Sequence, residues 1–211
     1  MSEKDGEYGQ WFAANKTLLE TAYLAADQPW QQSGVGLHSA CTYERWEAMR
    51  RPIAACVTTS GTLLDMGCAN GYLLECLLRW VGERDLTLEP YGLDISEGLL
   101  ALARQRLPQY ADHCFVGNAW DWPPPRRFDY VRTELVYVPD ELQQAYVRRL
   151  LTDFLTPTGS LLVAEYRARG PDAPPLRVEQ RLAEMGFPVP ARTSGFWQGV
   201  ECTRIAVVPA A

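Results

Sequence analysis

The stretch from residue 61 to residue 81 constrains this chain more than any other. Thr62-Leu63-Leu64-Asp65 is a short apolar run ending in an acid. Gly67-Cys68-Ala69-Asn70-Gly71 follows as a turn, and Leu73, Leu74, Leu77, Leu78 and Val81 mark a helix with a broad apolar face. A strand, a glycine turn and a helix in that order form the unit from which parallel sheets are built. The same alternation continues. Tyr91-Gly92-Leu93-Asp94, Cys114-Phe115-Val116 and Phe128-Asp129-Tyr130-Val131-Arg132 read as strands. Leu161-Leu162-Val163-Ala164 is a fifth, after a turn at Pro157-Thr158-Gly159. Helices are expected over Leu99 to Leu107, stopped by Pro108, over Leu142 to Phe154, and over Arg177 to Met185 with Gly186 as cap. Two last strands, near 189–193 and 201–208, have no helix between them and can pair antiparallel. The expected fold is α/β, a seven-stranded, mostly parallel sheet with an antiparallel C-terminal strand and helices on both faces.

Residues 1–57 precede this pattern and read as helical. Trp11, Phe12, Leu18, Leu19 and Tyr23 fall roughly on one stripe, residues 28–37 form a loop rich in Gly, Pro and Gln, and Trp46, Met49, Ile53 and Val57 mark a second helix. The division expected is an N-terminal helical cap over 1–57 and an α/β domain over 58–211. The 211 residues suit one such domain with an extension. A net charge of −6 offers no basic excess for counterion release, which argues against a protein held to nucleic acid by charge. Six cysteines form no C-x-x-C pair, and no acidic or histidine cluster accompanies them, so no metal site is expected. No apolar stretch reaches the roughly 20 residues that cross a bilayer, and the polar N-terminus lacks a signal-peptide core. A cytoplasmic protein is the expectation. Of 20 basic residues only Lys4 and Lys16 are lysine, a skew that fits a GC-rich genome.

The glycine turn carries the chemistry. Gly67 and Gly71 let backbone pass close to a ligand, and the helix behind them presents free N–H groups. A dinucleotide site wants G-x-G-x-x-G. Here the glycines stand four apart, position 69 is Ala, and Asp65 would repel a pyrophosphate. An acid at that point suits an ammonium group, so the loop fits a ligand bearing an amino acid.

With Asp65-Met66-Gly67-Cys68-Ala69-Asn70-Gly71, the chain resembles the class I S-adenosylmethionine-dependent methyltransferases, from about Gly61 to Val208. Ala69 stands where the family's middle glycine is often relaxed. The resemblance implies a Rossmann-like fold, S-adenosylmethionine as cofactor and S-adenosylhomocysteine as product. It implies cofactor contacts from Asp65, Gly67, Cys68, Ala69 and Gly71. It gives Asp94, at the end of the second strand, the ribose hydroxyls, the alternative being a helix cap. Ile95 would pack on adenine. Asn118 stands where the family usually has an acid, beside Ala119, and an amide both accepts and donates. Thr133 would face the cofactor and Tyr137 the substrate, in a segment where the family brings the two together.

Glu134 is polar within an apolar run. It is a candidate base or substrate anchor, with an ion pair to Arg132 as the alternative. His38 is a second acid/base candidate, whereas His113 reads as structural. Trp30 and Tyr43 are candidate pocket residues under an N-terminal lid, and Trp46 reads better as helix packing. The Asn-Pro-Pro-Tyr type of motif of amino-methylating enzymes is absent, as are a carbon-5 nucleophile pattern and a catechol-type metal cluster. The function expected is methyl transfer to an oxygen or nitrogen of a small molecule, a natural product being one candidate. No nucleic acid, membrane or metal is expected. The alternatives are an RNA or protein methyltransferase, with Arg148, Arg149, Arg167 and Arg169 as candidate contacts, or a non-catalytic binder of the cofactor.

Overall fold

The computed structural model describes residues 3–34, 41–167 and 173–210. Among these residues seven strands form one sheet: β1 (Gly61–Met66), β2 (Leu88–Asp94), β3 (Cys114–Val116), β4 (Phe128–Thr133), β5 (Leu155–Tyr166), β6 (Ala191–Trp197) and β7 (Val200–Pro209). Their order is β3-β2-β1-β4-β5-β7-β6. The first five run parallel, and β7 lies antiparallel between β5 and β6. The β6–β7 hairpin arises because no helix separates those strands, so the chain returns along its own edge.

Among the described residues, seven α-helices accompany the sheet: α1 (Glu3–Leu24), α2 (Tyr43–Arg50), α3 (Pro52–Ala55), α4 (Tyr72–Gly82), α5 (Glu97–Arg106), α6 (Gln143–Arg149) and α7 (Val178–Glu184). The expected helix over 142–154 divides into α6 and a wider π turn, Leu150–Phe154. Side chains alternate along each strand, so Leu63 and Leu64 enter opposite cores. One core joins Leu63, Leu73, Leu74 and Leu77 to Trp46, Ile53 and Val57 of the N-terminal segment. The other joins Leu64, Met66 and Val131 to Tyr146, Leu150 and Phe154. Both sheet faces are thus covered, which is why these strands read as apolar runs.

The N-terminal helices are placed differently from one another. Thr42 caps α2, its Oγ1 accepting from the Arg45 N–H at 3.3 Å. Trp46 on this helix is fully buried, 4.9 Å from the Tyr72 ring and 6.0 Å from Trp80. The backbone of α2 lies so close to β6 that any β-carbon at Gly195 would collide with the Ala48 carbonyl. Helix α1 instead packs on α5, tied by Ser96 Oγ donating to Glu20 Oε1 at 2.8 Å. Phe12 reaches the second core, but Leu18 of the expected stripe points to solvent. The line that faces the cavity includes 12, 16, 19 and 23, at steps of four, three and four, and Leu18 falls beside it.

Among the described residues, no helix is long and apolar enough to cross a membrane.

Candidate cofactor and acceptor site

Strand order reverses between β1 and β4, and a crevice opens beyond the carboxyl ends of strands at such a switch point. A cavity of about 290 Å³ lies there. It is walled by the ends of β1, β2 and β4, by the loops after them, and by α1, which contributes Phe12, Lys16, Leu19 and Tyr23.

The loop after β1 bends through positive φ at alternate residues: Gly67 at +69°, Ala69 at +49° and Gly71 at +73°. Ala69 pays the steric cost that glycine would avoid. A β-carbon at Gly67 would stand 2.7 Å from the Tyr137 ring, so the phenol lies directly over the loop. The Ala69 N–H donates to Asp94 Oδ2 at 2.8 Å, and the Ser96 N–H donates to Asp94 Oδ1 at 2.8 Å. Asp94 therefore clamps two loops together. The cap of α5 is Ser96, whose Oγ accepts from the Leu99 N–H at 3.1 Å. A carboxylate has about four lone-pair sites, so Asp94 keeps acceptor capacity toward the cavity it lines. Burial holds its carboxyl above the usual carboxylate range, against the pull of the Ser96, Ala69 and Ile95 N–H groups.

Asp65 and Arg132 are register partners on β1 and β4. That pairing sets both side chains on one face, and Arg132 Nη1 donates to Asp65 Oδ1 at 3.2 Å. Arg132 is 2% exposed and serves as a hub. Its Nη1 also donates to Tyr137 OH at 2.8 Å and its Nη2 to Tyr166 OH at 3.0 Å. A short bond joins Nη2 to Glu134 Oε1, which accepts from Tyr137 OH at 2.8 Å as well. Of the two roles open to Glu134, the ion pair with Arg132 is present. Burial holds the Asp65 carboxyl up at about 6, against the pull of the Arg132 cation, and Asp65 Oδ2 finds no partner among the described residues. Burial likewise pushes Tyr23 up to about 12, with Glu134 and Asp94 adding to it and Arg50 and Arg132 opposing.

The cavity gathers Asp65, Gly67, Ala69, Asp94, Ile95, Asn118, Ala119, Glu134 and Tyr137 from the sequence-predicted residues. Asn118 Oδ1 accepts from the Trp120 N–H at 2.9 Å, which leaves its amide protons as the natural face toward a ligand. The other predicted residues lie outside the lining. Cys68 turns under β2, where a β-carbon at Gly92 would stand 2.6 Å from its sulfur. Gly71 backs onto Ala103 of α5. Thr133 is fully buried, 2.7 Å from Tyr146 OH. Trp30 donates to the Cys41 carbonyl at 3.1 Å, and Tyr43 OH accepts from Arg79 at 3.3 Å. His38 lies outside the described residues. Sequence reasoning missed Arg50, at the end of α2, which lines the cavity and is 2% exposed. A charged residue between Met49 and Ile53 on an apolar stripe was the available signal.

An acid clamped at the end of β2, a second acid beside a glycine turn after β1, and this strand order with its reversed β7 mark the fold. The chain has the class I S-adenosylmethionine-dependent methyltransferase fold. A family model described as a methyltransferase domain matches residues 63–159. A trans-aconitate 2-methyltransferase of Rhodopseudomonas palustris (strain HaA2) is 33% identical over 98 residues, 46% of this chain and 35% of that protein. The match thus spans about a third of that relative's length. Among solved structures, the N-methyltransferase NodS from Bradyrhizobium japonicum WM9, in complex with S-adenosylhomocysteine, superposes with a TM-score of 0.62 at 16% identity, covering 92% of this chain and 97% of that one. The glycopeptide N-methyltransferase MtfA gives 0.59 at 20%, covering 76% and 93%. A methyltransferase from Aquifex aeolicus gives 0.58 at 16%, covering 81% and 94%.

Proposed function

We propose that this chain is an S-adenosylmethionine-dependent methyltransferase that modifies an oxygen or nitrogen of a small molecule. The observation that carries the reading is the buried, unpartnered Asp65 Oδ2 beside the glycine turn, in one cavity with Asp94. A lone carboxylate oxygen withdrawn from water is costly, and an ammonium group would compensate it. Asp94 would hold the ribose hydroxyls, Ile95 and Ala119 the adenine faces, and Asn118 an adenine edge. The cofactor supplies an electrophilic methyl group on a sulfonium. The residues of this chain bind, orient and exclude water from it.

Glu134 is already engaged by Arg132 and Tyr137, so we assign it to holding Tyr137 over the glycine turn rather than to taking a proton. Rate enhancement then rests on proximity and orientation in a shielded cavity. Helix α1 would act as the lid. The RNA reading draws less support: Arg149 is committed to the carbonyls of Ala119, Trp120 and Trp122, and Arg167 to that of Ala173. Arg169 lies outside the described residues. Six unpaired cysteines suit a reducing compartment such as the cytosol.

The test is transfer of labelled methyl from S-adenosylmethionine to a panel of small amines, phenols and carboxylic acids. The name of the Rhodopseudomonas relative places trans-aconitate among the acids. Labelled product from one member, lost in Asp65→Ala, supports the proposal. Cofactor binding with no transfer to any small molecule would favour a macromolecular acceptor or a binding role.

A further inference from the structure

Helix α1 walls the cavity, yet few polar contacts hold it to the rest of the chain. Asn15 and Thr17 hydrogen-bond within the helix, Asn15 Nδ2 donating to the Trp11 carbonyl at 2.9 Å and Thr17 Oγ1 to the Ala13 carbonyl at 3.1 Å. Among the described residues no ion pair involves α1, and Glu20 is its one side chain that hydrogen-bonds outside the helix, through Ser96. That contact has an exacting geometry. Helix α1 crosses the first turn of α5 at Gly98, where a β-carbon would stand 2.9 Å from Glu20 Oε1 and 3.2 Å from Leu24 Cδ1. The Glu20 carboxylate thus lies at the start of a helix, where partial positive charge favours it. Ser96 is 2% exposed. Its N–H donates to Asp94 Oδ1, its Oγ accepts from the Leu99 N–H, and the single hydroxyl proton goes to Glu20. The other oxygen of Asp94 holds the Ala69 N–H of the glycine turn. One serine therefore joins the wall helix to the acid and, through it, to the turn. The charge of Glu20 adds to the burial that raises the Asp94 carboxyl. Just past α1 the chain is fastened again: Gln32 Nε2 donates to the Ala26 carbonyl at 2.7 Å, and Asn70 Nδ2 donates to the Pro29 carbonyl at 3.0 Å and to Gln32 Oε1 at 3.1 Å. The helix has a pinned carboxyl end and one polar latch.

We propose that Glu20 is a positioning residue: its bond to Ser96 latches α1 against α5 and couples that closure to Asp94, so that a nucleoside held by Asp94 leaves only after the latch opens. This rests on the cofactor assignment above and extends it from binding to residence time. Glu20 lies outside the cavity lining, and it acts through Ser96. Loss of the latch therefore speeds release without removing any group that touches the ligand. Variants of one site change dissociation far more than association.

The experiment is stopped-flow dissociation of S-adenosylhomocysteine from the full chain, read by tryptophan fluorescence, to which Trp11 of the lining contributes. Hydrogen exchange of the same proteins accompanies it. Glu20→Ala should release the ligand about 10-fold faster, in the range of a hydrogen bond to a charged group, with association unchanged within about twofold. Glu20→Gln keeps an oxygen for the Ser96 hydroxyl and should stay within about threefold of wild type. Ser96→Ala also removes the cap of α5, so it is read as a cycle: Glu20→Ala added to Ser96→Ala should change the rate no further. In Glu20→Ala the amides of residues 8–24 should exchange faster while those of β1 and β2 keep their protection. Release at the wild-type rate in Glu20→Ala would overturn the proposal. Additive effects of the two substitutions, or faster exchange throughout the sheet, would make Glu20 merely structural and overturn it too. A wild-type chain that binds no S-adenosylhomocysteine would reject the cofactor assignment, and the role in retention with it, even where Glu20→Ala still frees α1 in exchange.

Discussion

Ala69 shows how much a single residue in the glycine turn carries. Its φ of +49° is one that L side chains rarely adopt, and its N–H is spent on Asp94. Ala69→Gly relieves the strain but loosens the unfolded chain. The native geometry outweighs that entropy, so the variant should be more stable by about 0.5–1 kcal/mol in chemical denaturation. Asp65 sets a pH dependence. Its folded carboxyl is raised to about 6, so its contribution to stability is present below the unfolded value, near 4, and is lost as pH rises through 6. An ammonium-bearing ligand needs the ionised form. S-adenosylhomocysteine affinity should therefore tighten as pH rises from 5 to 7, and calorimetry on Asp65→Asn should show that dependence flattened. Asp94→Ala acts on more than binding, because it also unties the Ala69 and Ser96 N–H groups. It should cost about 1.5–3 kcal/mol of stability in addition to affinity. At this scale the acids and the turn were legible because their chemistry is local to a strand end. The partners of Asp65 were not. Arg132 reaches it through sheet register, and Arg50 acts on it by charge alone, from a distant helix. Neither leaves a spacing in the chain.

Among the elements, α1 and α2 separate a cover from a core. The sequence presents both as aromatic-bearing helices, and only packing tells them apart. Trp46 is enclosed by Tyr72 and Trp80, so Trp46→Ala should destabilise the fold by about 3–5 kcal/mol, seen as a lowered melting temperature by circular dichroism. Helix α1 buries chiefly Phe12 in the core and spends its other inward residues on the cavity. Removing the first 27 residues should leave a folded, less stable protein with poor retention of S-adenosylhomocysteine. A truncate that aggregates would make α1 a core helix, and one that binds normally would remove the lid. The strands and the hairpin were readable from apolar runs and turn residues. The π turn at Leu150–Phe154 was not, since it keeps the apolar pattern of the helix it extends.

For the whole molecule, one reversal of strand order places everything. It sets the ends of β1 and β4 side by side, brings Asp65 against Arg132, and leaves the crevice that α1 and α2 close from outside. The acidic balance of −6 arises on a fold whose cavity lining carries Asp65, Asp94 and Glu134 alongside Lys16, Arg50 and Arg132. Such a lining suits a ligand that is itself both cation and anion. The direct measurement is thermal unfolding of the full chain with S-adenosylhomocysteine and, separately, with NAD. At about 100 times its dissociation constant, S-adenosylhomocysteine should stabilise the fold by roughly 2.7 kcal/mol, and NAD should leave the transition in place. Stabilisation by NAD alone, or by neither ligand, would contradict the account.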